Sequence, residues 1–235
     1  MRTTLLTLAS LLLNWTVGAQ CPNPTGGRTG QIASHSAYTV EFIPELRIAE
    51  WVTYEVAAAE IQGARYERSD DFRRDPAFSA SPDASAYRGS GFDRGHLAPA
   101  ADMAYSAQAM SESFFMSNMT PQHPSLNRGR WKTLETQVRQ WAVEKQALCI
   151  TAGPVLSNGL DRLPSGVTVP EFYFKVIYDP EPVPTAIGYV FPNGKCPNGI
   201  GAYAVPIDHI EAVTGLDLLP GVDEALEQRV PSTGW

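Results

Sequence analysis

The sequence contains few cysteines, and several widespread catalytic motifs are absent from it. Cysteine occurs three times in 235 residues, and there is neither a Cys-x-x-Cys pair nor a His-Glu-x-x-His helix, which argues against a zinc enzyme. No Gly-x-Ser-x-Gly elbow or Gly-x-x-x-x-Gly-Lys-Ser/Thr loop occurs, so the common serine hydrolases and nucleoside triphosphatases are also excluded. Beyond the N-terminal segment, no apolar run approaches the roughly 20 residues that span a membrane.

The composition is that of a globular chain with many turns. Apolar residues make up 43% and charged residues 18%, and the 19 glycines and 19 prolines are spread without a period. The net charge of -7 disfavours a protein that coats nucleic acid. Residues 65–139 nevertheless hold 10 basic and 9 acidic side chains, against 7 and 16 in the rest of the chain after residue 19. Charge alone does not separate a basic site there from a balanced solvated face.

The N-terminal segment predicts a secretory signal peptide over residues 1–19. A mostly apolar run over residues 5–13 follows a single early arginine, and Val17-Gly18-Ala19 supplies small residues before a cleavage point. A mitochondrial transit peptide is the alternative, but it would be rich in arginine. We therefore expect a secreted or periplasmic protein, cleaved near Ala19, with one domain over residues 20–235.

An oxidising compartment would permit a disulfide among the three cysteines. Cys149 lies in an apolar run, which is typical of a buried core thiol, whereas Cys21 and Cys196 both lie in loops rich in proline and asparagine. The sequence favours Cys21–Cys196, although three pairings are open.

Hydrophobic patterning predicts one α+β domain with a sheet-rich body. Residues 20–36 and most of 62–92 look like loop. The clearest helix starts near Leu126 and carries an apolar stripe through Trp131 to Trp141. Shorter helices are predicted near residues 106–113, 207–213 and 223–229. Strands are predicted at residues 38–42, 51–56, 94–98, 114–118, 148–151, 172–178 and 185–191.

The candidate chemistry lies between residues 93 and 139. A neutral His96 could take a proton from water, although a lone histidine is more often structural. Asn127 offers a neutral hard oxygen that suits Mg²⁺, or else it caps the helix. Glu135 could hold metal-bound water, or else pair with Arg139 one turn later. A base, a hard cation and arginines together suit phosphodiester hydrolysis.

These residues lie in a longer pattern that resembles one family. Residues 87–98, which include Asp93-Arg94-Gly95-His96, are similar to the DRGH motif of the DNA/RNA non-specific endonucleases, a family that includes endonuclease G and the Serratia-type nuclease. The similarity continues in order through residues 115–122 and 126–127 to Trp131 and Glu135. It implies a central, mostly antiparallel sheet and a ββα-metal site, in which two strands and a helix hold one divalent cation, usually Mg²⁺, with Mn²⁺ or another divalent ion as alternatives.

The resemblance also implies roles for individual residues. His96 would be the general base, Asn127 the direct metal ligand, Glu135 a metal ligand through water, and Arg139 a partner of the phosphate or leaving group. Arg94 and Asn118 would be supporting residues.

An upstream arginine that grips phosphate is implied as well. Arg65, Arg68, Arg73 and Arg74 all compete for this position, and Arg68, four residues before Phe72, is favoured.

The leading hypothesis is a secreted, Mg²⁺-dependent endonuclease that cuts DNA and RNA with little sequence preference and leaves 5′-phosphate ends. A site that binds the phosphate and the metal but makes few contacts with the bases would explain why cleavage shows little sequence preference. A catalytically silent nucleic-acid-binding relative and a phosphodiesterase for small substrates are the alternatives. No membrane partner is expected. Many proteins similar to this one are homodimers, which leaves a homodimer open here.

Overall fold

The computed structural model describes residues 21–231 and residue 235, so the predicted leader at residues 1–19 lies outside the described chain. Eleven strands are found in the described residues. In chain order they are β1 (Thr25–Gly26), β2 (Gln31–Ser34), β3 (Tyr38–Ile43), β4 (Ile48–Ala57), β5 (Asp93–His96), β6 (Met119–Gln122), β7 (Ala147–Pro154), β8 (Phe172–Asp179), β9 (Thr185–Pro192), β10 (Ala204–Val205) and β11 (Leu216–Asp217).

The helices are short apart from one. They are α1 (Ala58–Gln62), α2 (Ala107–Glu112), α3 (Lys132–Lys145), α4 (Ile207–Thr214) and α5 (Glu224–Glu227). Single 3₁₀ turns lie at Ala84–Tyr87, Met116–Asn118 and Ile200–Tyr203. A π-helical segment at Leu126–Trp131, called the widened turn below, leads into α3. None of the helices in the described part of the chain is both long and apolar enough to cross a membrane.

The centre of the molecule is a seven-stranded sheet in the order β10-β9-β8-β7-β4-β3-β2, with every neighbouring pair antiparallel. Because side chains alternate along a strand, β4 sends Val52 and Tyr54 to one face and Trp51 to the other. The first face packs against the predicted stripe of α3, and the second against α4. The α+β class and the antiparallel sheet are thereby confirmed.

Two local predictions were wrong. Residues 114–118 form no strand; the strand is β6, which begins at Met119 and contains Pro121. Strand β6 pairs with β5 on one edge, and Pro121 faces the other edge, where its carbonyl accepts a hydrogen bond from the Tyr173 hydroxyl at 2.9 Å. Proline is tolerated there because no neighbouring strand of the described chain on that edge needs the N–H that proline lacks. Residues 20–36 are not all loop, since they contain β1 and β2.

The favoured Cys21–Cys196 disulfide was also wrong, because Cys21 is bonded to Cys149. Strand alternation gives the reason. The neighbours of Cys149 on β7, Leu148 and Ile150, point to the α3 face, so Cys149 points away from it, opposite Glu55 of β4. The N-terminal segment passes there, with the Cα atoms of the two cysteines 5.4 Å apart, while Cys196 stays a free, half-buried thiol.

Candidate active site

The candidate site is built on the β5–β6 pair and the helical segment that follows. The pair is antiparallel, with His96 opposite Met119 and Gly95 opposite Thr120. Gly95 lies within β5 and is needed for close packing against β6. A Cβ atom there would lie 2.2 Å from the side-chain oxygen of Gln122. Strand β6 then runs within four residues into the turn at Leu126, which places the strand pair and α3 around one open pocket.

His96 ends β5 and packs into an aromatic corner. Its ring lies edge to face with the rings of Phe114 and Phe72, and the ring centres are 5.0 Å and 6.0 Å away, respectively. The Nε2 atom is buried and has no hydrogen-bond partner in the described structure. Burial, followed by the positive charges of Arg68 and Arg94, lowers the pKa of His96 to about 3. The imidazole is therefore neutral at physiological pH, which is the form that can accept a proton.

Asn127 is held in the widened turn and does not cap α3. The turn is interrupted at Gly129 (φ -107°, ψ -112°), and the residue before α3 is Trp131, so the capping interpretation of Asn127 was wrong. Its side-chain nitrogen donates to Asp93 at 2.8 Å. Asp93 also accepts two hydrogen bonds from Arg128, which lowers the pKa of Asp93. This clamp orients the Asn127 amide and leaves its carbonyl oxygen without a protein donor in the described chain.

Glu135 belongs to a group of charges on the inner side of α3. The predicted ion pair with Arg139 is not formed, because Arg139 donates to Asp102 at 2.8 Å. Burial raises the pKa of Glu135 to about 7, Lys175 opposes this, and Asp102 adds to it. No protein hydrogen bond to the Glu135 carboxylate is found in the described residues, so its oxygens are open to another ligand.

Lys175 is the residue that the sequence analysis missed. It lies in the middle of β8, fully buried, with Nζ 3.3 Å from the Tyr54 hydroxyl and 4.6 Å from the centre of the Trp131 ring. Burial lowers the pKa of Lys175, while Glu135 and Asp102 raise it. A lysine inside the apolar run Phe172–Tyr178 was the signal in the sequence, because an unpaired charge is not stable in such a strand.

The four upstream arginines are distributed to different places. Arg68 alone among them lines the pocket that contains His96, with its guanidinium 4.7 Å from the centre of the Phe114 ring. Arg65 donates to the carbonyl of Ala101 at the pocket wall, but Arg65 itself does not line this pocket. Arg73 pairs with the carboxylate of Asp71 and Arg74 with that of Asp83. Arg68 is therefore the one of the four that lies beside His96, and its role against phosphate stays a prediction.

Arg94 and Asn118 take different supporting positions. The Arg94 guanidinium lies 3.8 Å from the centre of the Phe72 ring, at the pocket wall. Asn118 is fully buried and does not face the pocket. Its amide donates to the carbonyls of Ala98 and Ser113 at 2.9 and 2.8 Å and accepts from the Ala98 N–H at 2.9 Å. It therefore fixes the chain that leaves His96.

The pocket has a volume of about 500 Å³ and a positive lining. Its charged and titratable residues are Arg68, Arg94, His96, Arg128, Lys132, Glu135 and Arg139. With Asn127 also on the wall, the pocket offers one amide oxygen and one carboxylate as possible metal ligands. Both are hard oxygen donors of the kind that Mg²⁺ takes in small number, keeping its remaining positions for water. The donor set fits such an ion and would not suit zinc.

Comparison with known proteins identifies one family and one fold. The family model for DNA/RNA non-specific endonuclease matches residues 19–225. Mitochondrial endonuclease G of Homo sapiens is 33% identical over 214 residues, covering 82% of this chain and 70% of the relative. A nuclease of Nostoc sp. is 31% identical over 209 residues, covering 83% and 75%. The crystal structure of the EndoG/EndoGI complex contains a similar fold, with a TM-score of 0.78, 26% identity, and coverage of 85% of this chain and 90% of the other.

Proposed function

The chain belongs to the DNA/RNA non-specific endonuclease family and is a nucleic-acid hydrolase, and on that premise we propose that it is a Mg²⁺-dependent endonuclease that cuts DNA and RNA with little sequence preference. The observation that carries this proposal is the combination of a neutral His96 with the open oxygens of Asn127 and Glu135 around one positively lined pocket. Each of these groups is left without a full set of protein partners, which suits groups that complete their bonding with water, metal and phosphate.

Asn127 would hold the metal directly and Glu135 through water. When bound, the divalent cation would supply neutralisation of the charge that develops on the phosphoryl and leaving oxygens. The protein's part is to orient these two donors. Asp93 fixes the Asn127 amide, and Lys175 provides the positive charge that favours an ionised Glu135.

His96 would act as the general base. The neutral imidazole accepts a proton from a water molecule whose oxygen attacks phosphorus, and the P–O3′ bond on the opposite side breaks, which leaves a 5′-phosphate end. The aromatic contacts with Phe114 and Phe72 hold the ring in place for this transfer. Burial is the main cause of the lowered pKa of His96, and Arg68 and Arg94 lower it further, so the base would become stronger when phosphate neutralises those arginines.

Arginines would bind the phosphate. Arg68 and Arg94 stand at the pocket wall beside His96, each stacked on a phenylalanine, and Arg139 lies at the inner end with Asp102. Guanidinium groups match phosphate oxygens with paired donors, and stacking reduces the entropy lost on binding. Contacts of this kind carry no base information, which supports action on both DNA and RNA.

We further propose secretion or periplasmic export after cleavage near Ala19. The Cys21–Cys149 disulfide supports this location, because disulfides persist in oxidising compartments.

The test is incubation of the purified protein with supercoiled plasmid and with RNA, in Mg²⁺ and in excess chelator. We expect nicking and then fragmentation of both substrates in Mg²⁺ alone, with 5′-phosphate ends. His96→Ala should lower the rate by about 10²–10⁴-fold, and His209→Ala, on the exposed side of α4, should leave it unchanged.

Cleavage by His96→Ala at the wild-type rate would refute the base assignment, and binding without cleavage would favour a silent relative. Hydrolysis of dinucleotides but not of plasmid would favour a small-substrate phosphodiesterase.

A further inference from the structure

A second group of oxygen ligands lies far from the candidate active site, between α4 and α5. Asp208 and Glu211 are three residues apart on α4 and therefore on the same side of the helix, and Glu227 ends α5 opposite them. One carboxylate oxygen from each of the three lies within 4.8 Å of the others. The hydrophobic side of α4, through Ile207 and Ile210, packs on the sheet face opposite to α3, so this cluster is separate from Asn127 and Glu135.

Glu227 is the unusual member of the cluster. Its exposed fraction is 6%, and its Oε1 atom is buried with no hydrogen-bond partner in the part of the chain that the structure describes. A buried carboxylate oxygen without a donor costs free energy unless another ligand binds it. Glu211 uses one oxygen to accept from the Leu218 N–H at 2.7 Å, which leaves the other available, and Asp208 is exposed at the mouth of the cluster.

The surrounding charges are all negative. Asp217 and Glu224 are close enough to repel the same carboxylates. No ion pair in the described residues involves any of the five carboxylates. A cation bound among these carboxylates would reduce their mutual repulsion.

We propose that Asp208, Glu211 and Glu227 bind a divalent cation of the calcium class. Ligand oxygens lie about 2.3–2.6 Å from Ca²⁺, so two oxygens on one ion are at most about 5 Å apart. The three carboxylate oxygens all lie within 4.8 Å of one another, which meets that limit. The donors are all hard oxygens, and their irregular placement on two helices suits Ca²⁺ better than the strict octahedron of Mg²⁺. Exposed Asp208 leaves the outer side open for water ligands.

The bound cation would fasten the C-terminal part of the fold. Helix α5 has only four residues and cannot be stable alone, and the cation would join it to α4. Helix α4 leads into β11, which pairs with β1 near the N-terminal end of the described chain. Calcium binding would therefore stabilise the folded protein without taking part in phosphate chemistry.

The experiment uses the full chain carrying Asn127→Ala, so that the direct ligand of the candidate active site is removed. After treatment with chelator and dialysis, thermal unfolding and titration calorimetry are measured with Ca²⁺ and with Mg²⁺. We expect one saturable Ca²⁺ site per chain and a rise in Tm of several degrees in about 1 mM Ca²⁺, with a smaller rise in Mg²⁺. Absence of saturable Ca²⁺ binding would overturn the proposal.

Three variants in the Asn127→Ala background identify the ligands. Glu227→Gln removes a like charge, so the metal-free protein should be at least as stable as its parent while the Ca²⁺-dependent rise is lost. Asp208→Asn changes an exposed residue that does not affect folding, and Ca²⁺ should bind it at least tenfold more weakly. Glu171→Gln, an exposed acid outside the cluster, should respond as the parent does. Equal responses to Ca²⁺ in the parent, Glu227→Gln and Asp208→Asn would also overturn the proposal.

Discussion

A glutamate lies on each face of the central sheet, and the two carboxylates differ in their hydrogen bonding. On the face opposite α3, buried Glu41 accepts from the Gly30 N–H at 2.8 Å and from the Trp51 indole N–H at 2.7 Å, so each of its oxygens has a donor. On the α3 face, Glu135 has no such donor in the described structure, and burial raises its pKa to about 7. The first carboxylate is satisfied by the fold, whereas the second is left open.

The difference separates polar groups that build the fold from polar groups that perform chemistry. Buried polar atoms in proteins are nearly always hydrogen-bonded, so the unpaired ones indicate either strain or a ligand. On the α3 side, Nε2 of His96 and one oxygen of Asp102 are unpaired as well. If this division holds, substitutions on the two sides of the sheet will affect cleavage and stability differently.

The largest effect is expected from Asn127→Ala. Loss of the proposed direct metal ligand should reduce plasmid cleavage by about 10³-fold or more, because a bound cation contributes several kcal/mol to transition-state stabilisation. The Tm should change little, since the Asn127 side chain contributes one hydrogen bond, to Asp93. Asn158→Ala, in an exposed loop, is the matched control. Wild-type cleavage by Asn127→Ala, with the same Mg²⁺ dependence, would remove Asn127 from the metal site.

Lys175→Met tests the buried charges of the α3 face. Removing the lysine leaves Glu135 and Asp102 with less compensation, so unfolding in urea should show a loss of about 3 kcal/mol. Adding Glu135→Gln removes the unpaired charge and should restore much of that stability while cleavage stays low. Lys195→Met, at an exposed position, should be neutral. If Glu135→Gln does not rescue Lys175→Met, the two residues are not coupled and the lysine serves packing alone.

Glu41→Leu tests the opposite face. It leaves the buried Trp51 indole N–H and the half-buried Gly30 N–H without an acceptor, which should cost about 2 kcal/mol of unfolding free energy. Cleavage per folded molecule should not change, because the site lies across the sheet. Glu45→Leu, on an exposed loop, controls for the added apolar surface. A fall in activity comparable to that of Lys175→Met would show that the two faces are not independent.

Much of this division could be predicted from the sequence, but not all of it. Periodicity found the central strands and the stripe of α3, because burial on one side imposes a regular spacing. The same alternation in β7 directs Cys149 away from the α3 face, and neglecting it produced the wrong disulfide. Strand β6 was misplaced because Pro121 looks like a strand terminator, and only the tertiary contact with Tyr173 shows why its edge tolerates proline.

The candidate site shows a similar limit. His96, Asn127 and Glu135 could be found because their residue types match a known motif at known spacing. Lys175 and Asp102 lie 40 and 33 residues from Glu135 in sequence and reach it through the packing of β8 and the loop after β5 against α3. Pairwise charge compensation over such distances is set by the tertiary fold and leaves only a weak local signal, here a lysine in an apolar strand.

The smallest effect is expected from Arg68→Gln, in the pH dependence of cleavage. After burial, the charge of Arg68 is the next cause that lowers the pKa of His96. A histidine base works in its neutral form, so kcat/KM falls as the pH drops through the pKa of His96 in the free enzyme. Removing Arg68 should raise that pKa and move the acid limb of the profile toward neutral pH, apart from any general loss of phosphate binding.

Arg74→Gln, whose guanidinium is paired with Asp83 outside the pocket, should leave the limb in place. At saturating Mg²⁺ the bound cation would keep Glu135 ionised across the acid range, so the difference between the two profiles reports on His96. An unmoved limb in Arg68→Gln would mean that phosphate binding and base strength at this site are set by different residues.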